Sequence, residues 1–144
     1  MPGVFSGMRV GGLPYIDCQV GYPSGAAWPQ SAQAPIAARA LIDTGATNVV
    51  IGPALLARMI LPATAPMDHV VVGGGSRQCQ TVACEIIIAG RKAADLAQPF
   101  TYTVKDVRAL NDHVHGADLI LGWDVLRFFD LTFSRDDTFV LRAG

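Results

Sequence analysis

Charge is scarce in this chain. Charged residues make up 16% of the 144, with 11 basic against 12 acidic for a formal net charge of −1. No Lys/Arg-rich cluster or basic amphipathic stretch is present, so nothing draws the protein to nucleic acid or to an anionic membrane. Long apolar runs are also missing: none approaches the ~20 residues that a membrane-spanning helix requires. The start Met1-Pro2-Gly3-Val4-Phe5 lacks the basic segment and apolar core of a secretory signal, and cytoplasmic residence is the expectation that follows. Cysteine is limited to Cys18, Cys79 and Cys84, an odd set that does not build a disulfide framework. A Cys79–Cys84 bridge is conceivable, and free buried thiols are the simpler reading.

Apolar residues, by contrast, reach 51%. That is too many for a disordered tail and enough for one packed domain spanning residues 1–144. With so little charge to cover its surface, the chain is expected to assemble rather than stay a solitary monomer.

The periodicity is that of strands. Tyr15 to Val20 alternates, with Ile16, Cys18 and Val20 on one side. Residues 21–35 carry Gly21, Pro23, Gly25, Pro29 and Pro35 and read as a loop or hairpin excursion, with Trp28 tucked over the domain edge. Ile36 to Ile42 is an apolar strand, Asn48 to Ile51 a short second one, and Pro53 to Met59 one or two helical turns with proline near the start. Met67–Val72 and Gln78–Ile88 flank the turn Gly73-Gly74-Gly75-Ser76, and Val82, Cys84, Ile86 and Ile88 share a face of the return arm. After a turn at Gly90-Arg91-Lys92, Phe100, Tyr102 and Val104 alternate again, and Asn111 to Gly116 is polar and loop-like. Ala117 to Leu121 reads as a buried strand stopped by Gly122, Trp123 to Phe129 as a short helix, and Leu131–Phe133 with Thr138–Leu141 as a terminal hairpin. The fold class is therefore all-β, without βαβ rhythm or internal duplication.

The candidate chemistry centres on Asp43-Thr44-Gly45, which occurs once, at the end of the apolar strand. As a bare local pattern it is an Asx-type turn. As a site, one aspartate is a modest base, whereas two carboxylates within hydrogen-bonding reach share a proton, so that one deprotonates a water while the other donates to a carbonyl. The Thr44 hydroxyl can tie the turn to backbone or to an opposing copy of itself. Gly45 permits close approach and offers an N–H to the carboxylate. The other acids weighed as a second carboxylate, Asp17, Asp118, Asp124 and Asp130, lack a following Thr-Gly or Ser-Gly. A twofold homodimer supplies the missing acid from a second Asp43.

The run Ala40-Leu41-Ile42-Asp43-Thr44-Gly45-Ala46 resembles the active-site loop of the retropepsin-like, or retroviral-type, aspartic proteases. Leu119-Ile120-Leu121-Gly122 with the helix after it is similar to their closing hydrophobic-hydrophobic-glycine element. Val70 to Ser76 resembles their glycine-rich flap. The resemblance covers roughly residues 13 to 141 and implies a closed-barrel-like fold with a flap hairpin and one or two short helices. It also implies an aspartic endopeptidase acting as a homodimer on extended peptides with apolar side chains near the scissile bond. Asp43, Thr44 and Gly45 would be catalytic. Ala46, Thr47, Asn48, Val71, Val72, Gly73, Gly74, Gly75, Ser76 and Ile120 would contact substrate, with Ile51 as a further apolar wall and Gln78 on the flap arm. Retroviral members commonly carry acidic residues where Thr47 and Asn48 stand, so this chain resembles a cellular member more than a viral one.

Three further expectations complete the reading. Trp123 and Phe128 are expected to pack as core, and Asp124 to serve the helix start or pair with Arg127. His113 and His115, with His69 or Asp118, lack the spacing of a metalloprotease site, and no metal or organic cofactor is expected. The competing function is a non-catalytic dimeric module of the same fold that binds peptides by strand addition.

Overall fold

The computed structural model describes residues 3–25, 27–72, 75–89, 99–110 and 116–143. In chain order the elements are β1 (Val4–Val10), β2 (Leu13–Gly21), β3 (Ile36–Ile42), β4 (Val50–Ile51), α1 (Pro53–Leu56), β5 (Ala63–Val72), β6 (Gly75–Ile88) and β7 (Phe100–Ala109). They are followed by β8 (Leu119–Leu121), α2 (Trp123–Leu126), β9 (Phe129–Phe133) and β10 (Thr138–Ala143). Pairing runs β5-β6-β7-β4-β8-β3-β2-β1-β10-β9, and β6 also pairs with β2. That extra contact sets Val20 opposite Ile86 and closes β2, β3, β8, β4, β7 and β6 into a six-stranded barrel. Closure removes the exposed edges that so apolar a sheet would otherwise present.

Alternation explains the core. Ile16, Cys18 and Val20 from β2, and Val82, Cys84, Ile86 and Ile88 from β6, point inward with Val104 and Val107 of β7. A register shift between Val82 and Cys84 is a bulge that turns the wide β5–β6–β7 sheet toward the barrel. All three cysteines are buried thiols; the Cys79–Cys84 bridge is not formed. Burial pushes the Cys18 thiol up to about 12, with the charges of Asp118 and Asp17 adding to the shift, and burial raises Cys84 as well.

Several boundaries differ from the sequence reading. Asn48 and Val49 stay outside β4, which is only two residues long, and α1 is a single turn opened by Pro53. Gly75 and Ser76 belong to β6 and pair with Val72 and Val71, while Gly73, Gly74, the Gly90–Lys92 turn and most of the Asn111–Gly116 segment lie outside the described residues. Phe129 starts β9 instead of ending a helix. Strand β1 was not legible, and Gly7 is the reason. Its inward position is filled by the Phe139 ring, which a Cβ would overlap, so the apolar alternation disappears from the sequence although the packing is intact.

Trp123 and Phe128 are not core residues. Phe128 lies at the surface against the Phe100 and Tyr102 rings, with centroids 5.9 and 4.8 Å away, and Arg127 donates to the Tyr102 hydroxyl at 3.0 Å. Trp123 is 49% exposed and has a different task, described below. The excursion after β2 is held by Gln33, whose side-chain amide donates to the Ile60 carbonyl at 2.8 Å and accepts the Ile60 N–H at 2.9 Å. Trp28 sits half-buried in that excursion, beside a shallow hollow of about 420 Å³.

Candidate active site

Strand β8 runs between β3 and β4, parallel to the first and antiparallel to the second. The chain from β3 to β4 must therefore cross over the end of β8, and that crossing is the loop 43–49. Asp43 enters it with its N–H on the Leu121 carbonyl at 3.1 Å, and the Ala46 N–H returns to the Asp43 carbonyl at 3.1 Å. The half-buried Asp43 carboxylate accepts the Gly45 N–H on Oδ1 at 2.9 Å. The expected Asx-type turn is thus present, and it fixes the acid. A Cβ at Gly45 would lie 3.2 Å from Oδ1, so glycine lets the amide reach the carboxylate without pushing it aside.

Underneath, Gly122 is the contact on which the loop rests. A Cβ there would come within 2.7 Å of the Asn48 carbonyl oxygen and 2.8 Å of the Ala46 carbonyl oxygen. The loop then locks onto the start of α2. Trp123 N–H donates to the Ala46 carbonyl at 2.9 Å and Asp124 N–H to that of Thr47 at 3.1 Å. The Trp123 indole Nε1–H reaches the Thr44 carbonyl at 2.6 Å, and Asp124 Oδ2 accepts the Val49 N–H at 2.9 Å. Asp124 therefore braces the loop beneath Asp43, at the first turn of α2 where a carboxylate is favoured. Its burial raises its carboxyl above the ordinary value, opposed chiefly by the Val49 N–H, and its Oδ1 is buried without a partner among the described residues. Asp118 is likewise committed to backbone, accepting the Arg39 N–H at 2.8 Å.

Apolar residues beside the acid form a cluster separate from the main core: Leu41, Val50, Cys79, Leu110 and Ile120, with Tyr15, Ala46 and Ala117 against it. Leu41, Val50 and Ile120 are the residues whose neighbours on either side face the barrel interior. Of the two apolar residues expected beside the substrate, Ile120 belongs to this cluster and Ile51 does not. Ile51 is fully buried in the main core, and Val50 joins the cluster instead. Cys79 brings the stem of the β5–β6 hairpin over the cluster. Val71 and Val72 pair through backbone with Ser76 and Gly75 in that hairpin, and Gln78 is exposed on its arm. Thr44 and Thr47 are exposed and Ala46 and Asn48 half-buried. Asn48 also lines a hollow of about 350 Å³ with Tyr102, Lys105, Asp124 and Arg127.

The bracing by Trp123 and Asp124 was missed, because contacts to a loop some 80 positions away leave no local pattern. Leu41 had a signal: it stands two residues before Asp43, on the same side of an extended chain. His113 and His115 lie outside the described residues. No helix among the described residues is long and apolar enough to cross a membrane.

A family model for aspartyl proteases matches residues 33–125, a span that holds the Asp43 loop, the hairpin, β8 and the start of α2. Among solved structures, a retropepsin-like aspartic protease from Rickettsia conorii is similar over 99% of this chain and 92% of that one, with a TM-score of 0.64 and 14% identity. The barrel, the hairpin and the β3–β8–β4 crossing thus form a retropepsin-like fold. No curated protein matches the sequence.

Proposed function

The chain belongs to the aspartyl protease family, and from that premise we propose that residues 1–144 act as one protease domain, a homodimeric aspartic endopeptidase of the cytoplasm. Asp43 of one protomer and Asp43 of its partner would share a proton across the twofold axis. The ionised member takes a proton from a bound water, the water oxygen attacks the peptide carbonyl carbon, and the protonated member donates to the carbonyl oxygen. Collapse of the resulting tetrahedral diol, with a proton passed to the leaving amine, breaks the C–N bond. Thr44 would join the two loops through its hydroxyl, and Gly45 holds the acid in place by its amide.

The observation that carries this reading is the bracing of a half-buried carboxylate. The Gly45 N–H bonds to it directly, and Trp123 and Asp124 fasten the loop on both sides. A carboxylate so fixed is preorganised for chemistry, whereas a surface turn needs no such support. Thr47, Ala46 and Asn48, backed by the buried Leu41–Val50–Ile120 cluster, would take an extended peptide whose side chains near the scissile bond are apolar. The hairpin tip, Val71 to Ser76, would close over it and exclude water. Neutral Thr47 and Asn48 would bind peptide backbone without a charge preference.

The test is cleavage of a peptide library at several pH values by the native chain and by Asp43→Asn, with molecular mass measured on the same samples. The expected result is a dimeric native protein that cleaves and a dimeric variant at least about 1,000-fold slower. Equal cleavage by both refutes the mechanism. Peptide binding without cleavage by either protein would assign the fold to recognition instead.

A further inference from the structure

The β5–β6 hairpin is a long arm with few attachments. Among the described residues β5 ends the pairing order and bonds laterally to β6 alone, and that ladder is interrupted twice between Ala63 and Asp68. Irregular pairing bends a strand and weakens its hold, so the arm can flex near its root. Ala63 to Val72 spans about 30 Å, and a tilt of roughly 5° at the root moves the far end by about 2.6 Å. Whatever fixes the root therefore fixes the tip. Two contacts hold the chain just before β5. Ala83 N–H donates to the Pro62 carbonyl at 3.0 Å. Two residues earlier, the Gln33 side-chain amide takes both backbone groups of Ile60, donating to its carbonyl at 2.8 Å and accepting its N–H at 2.9 Å. Ser31 Oγ, 3.2 Å from both the backbone N and the Nε2 of Gln33, sets that amide in place. Met59 is buried in the core and Leu61 packs against it, but the Ile60 side chain is 81% exposed. Ile60 brings its backbone to this contact and little packing.

We propose that Gln33 is a positioning residue that ties the root of the hairpin to the strand carrying Asp43. The inference rests on the protease reading above and names the contact that sets how the hairpin closes. Gln33 stands three residues before β3, and β3 runs directly into Asp43. The clamp therefore links the hairpin to the acid through β3 itself. A side-chain amide carries a donor and an acceptor together, so it pairs with Ile60 as a neighbouring strand residue does. With the clamp broken, the root is left with the Pro62–Ala83 bond and the arm has a wider range of tilt. A peptide held beneath the hairpin requires the closed arrangement, so a smaller closed fraction raises KM by the same factor. The saturated complex still closes, and kcat is kept.

The test is hydrogen exchange by mass spectrometry on the full chain, with kcat and KM for a cleaved library peptide, comparing the native protein with Gln33→Ala, Gln33→Glu and Ile60→Thr. In Gln33→Ala the amides of β5 should exchange about 10-fold faster, while those of β2 and β3 keep their native rates. KM should rise about 10-fold with kcat within about twofold of native. Ile60→Thr keeps the clamped backbone and should match the native protein. In Gln33→Glu an ionised carboxylate turns an acceptor toward the Ile60 carbonyl, whereas a protonated carboxyl can donate there. Protection of β5, corrected for intrinsic exchange, should therefore be lost at neutral pH and regained in acid. Native exchange of β5 in Gln33→Ala overturns the proposal. So does a uniform rise over all strands, which would make Gln33 a general stabiliser, and so does a fall in kcat with KM unchanged. Should Gln33→Ala fail to fold, Gln33→Glu decides, and β5 protection independent of pH overturns the clamp. If the native chain cleaves no peptide, the protease reading fails, and the exchange comparison alone decides the clamp.

Discussion

Replacing Gly122 by alanine probes the support of the active-site loop. The Gly122 backbone lies at φ −101° and ψ −169°, which alanine adopts without strain, so any effect comes from the added methyl alone. That methyl would sit 2.7 Å from the Asn48 carbonyl oxygen, 2.8 Å from that of Ala46 and 2.9 Å from the Asn48 carbonyl carbon. A comfortable C···O contact is about 3.3 Å or more, and all three atoms belong to backbone, so no side chain can swing aside. The loop has to lift by roughly half an ångström. Lifting stretches the bonds from Trp123 N–H to Ala46 and from Asp124 N–H to Thr47. Overpacking of this kind costs ~1–3 kcal/mol, and weakening one or two backbone bonds adds about 1 kcal/mol each. A total of about 2–5 kcal/mol follows. With unfolding entropy of about 2.1 cal/mol/K per residue over 144 residues, the melting temperature should drop by roughly 7–17 °C. Activity should fall more than stability, because the displaced residues flank Asp43 and catalytic geometry tolerates little displacement. Differential scanning calorimetry and peptide cleavage, both well below the variant's melting temperature, measure the two effects. A melting temperature within about 2 °C of native together with full cleavage would refute the idea that the loop rests on Gly122.

Asp124 and the thiols give two further predictions. Burial raises the Asp124 carboxyl, so the folded state binds its proton more tightly than the unfolded chain does. Its contribution to stability is therefore fully present in acid and is lost as pH rises through the raised value. Asp124→Asn keeps an acceptor for the Val49 N–H and removes this dependence. Relative to the native protein the variant should gain stability on going from acid to neutral pH, read from urea midpoints across that range; a constant difference would show that the buried carboxyl does not titrate differently on folding. Cys18 and Cys84 are buried with thiols raised by burial, Cys18 to about 12, which leaves almost no thiolate at neutral pH. An aromatic disulfide reagent should label neither in the native protein and both in denaturant, with Cys79→Ser used to remove the third thiol; rapid native labelling would contradict their packing.

Much of the barrel could be read in advance because its strands alternate cleanly. Ile16, Cys18 and Val20 announce the inner face of β2, and Val82 to Ile88 that of β6, since a half-buried strand must place apolar groups at every second position. The signal fails where the inward group is a hydrogen atom. At Gly7 the packing is supplied by Phe139, so β1 vanishes from the pattern. It fails again in β4, where two residues buried on opposite faces do not say which one joins the cluster beside Asp43, and Val50 rather than Ile51 does so. Large aromatics misled for a related reason. Trp123 and Phe128 are hydrophobic enough to expect inside, but an indole N–H seeks an acceptor, and the Thr44 carbonyl at the surface of the loop provides one.

The sequence by itself determined the all-β class, the place of Asp43 at a strand end, and the glycine that frees an amide to hold its carboxylate, because each depends on residues within a few positions of one another. Only the tertiary structure decided what supports that acid and what surrounds it. Passing β8 between β3 and β4 brings Gly122, Trp123 and Asp124 against a loop about 80 residues earlier, and closing β6 onto β2 separates the main core from the smaller buried cluster that contains Leu41 and Ile120. Those contacts arise from how strands are ordered in space. Alternation along a chain gives each strand an inside and an outside but does not choose its neighbours.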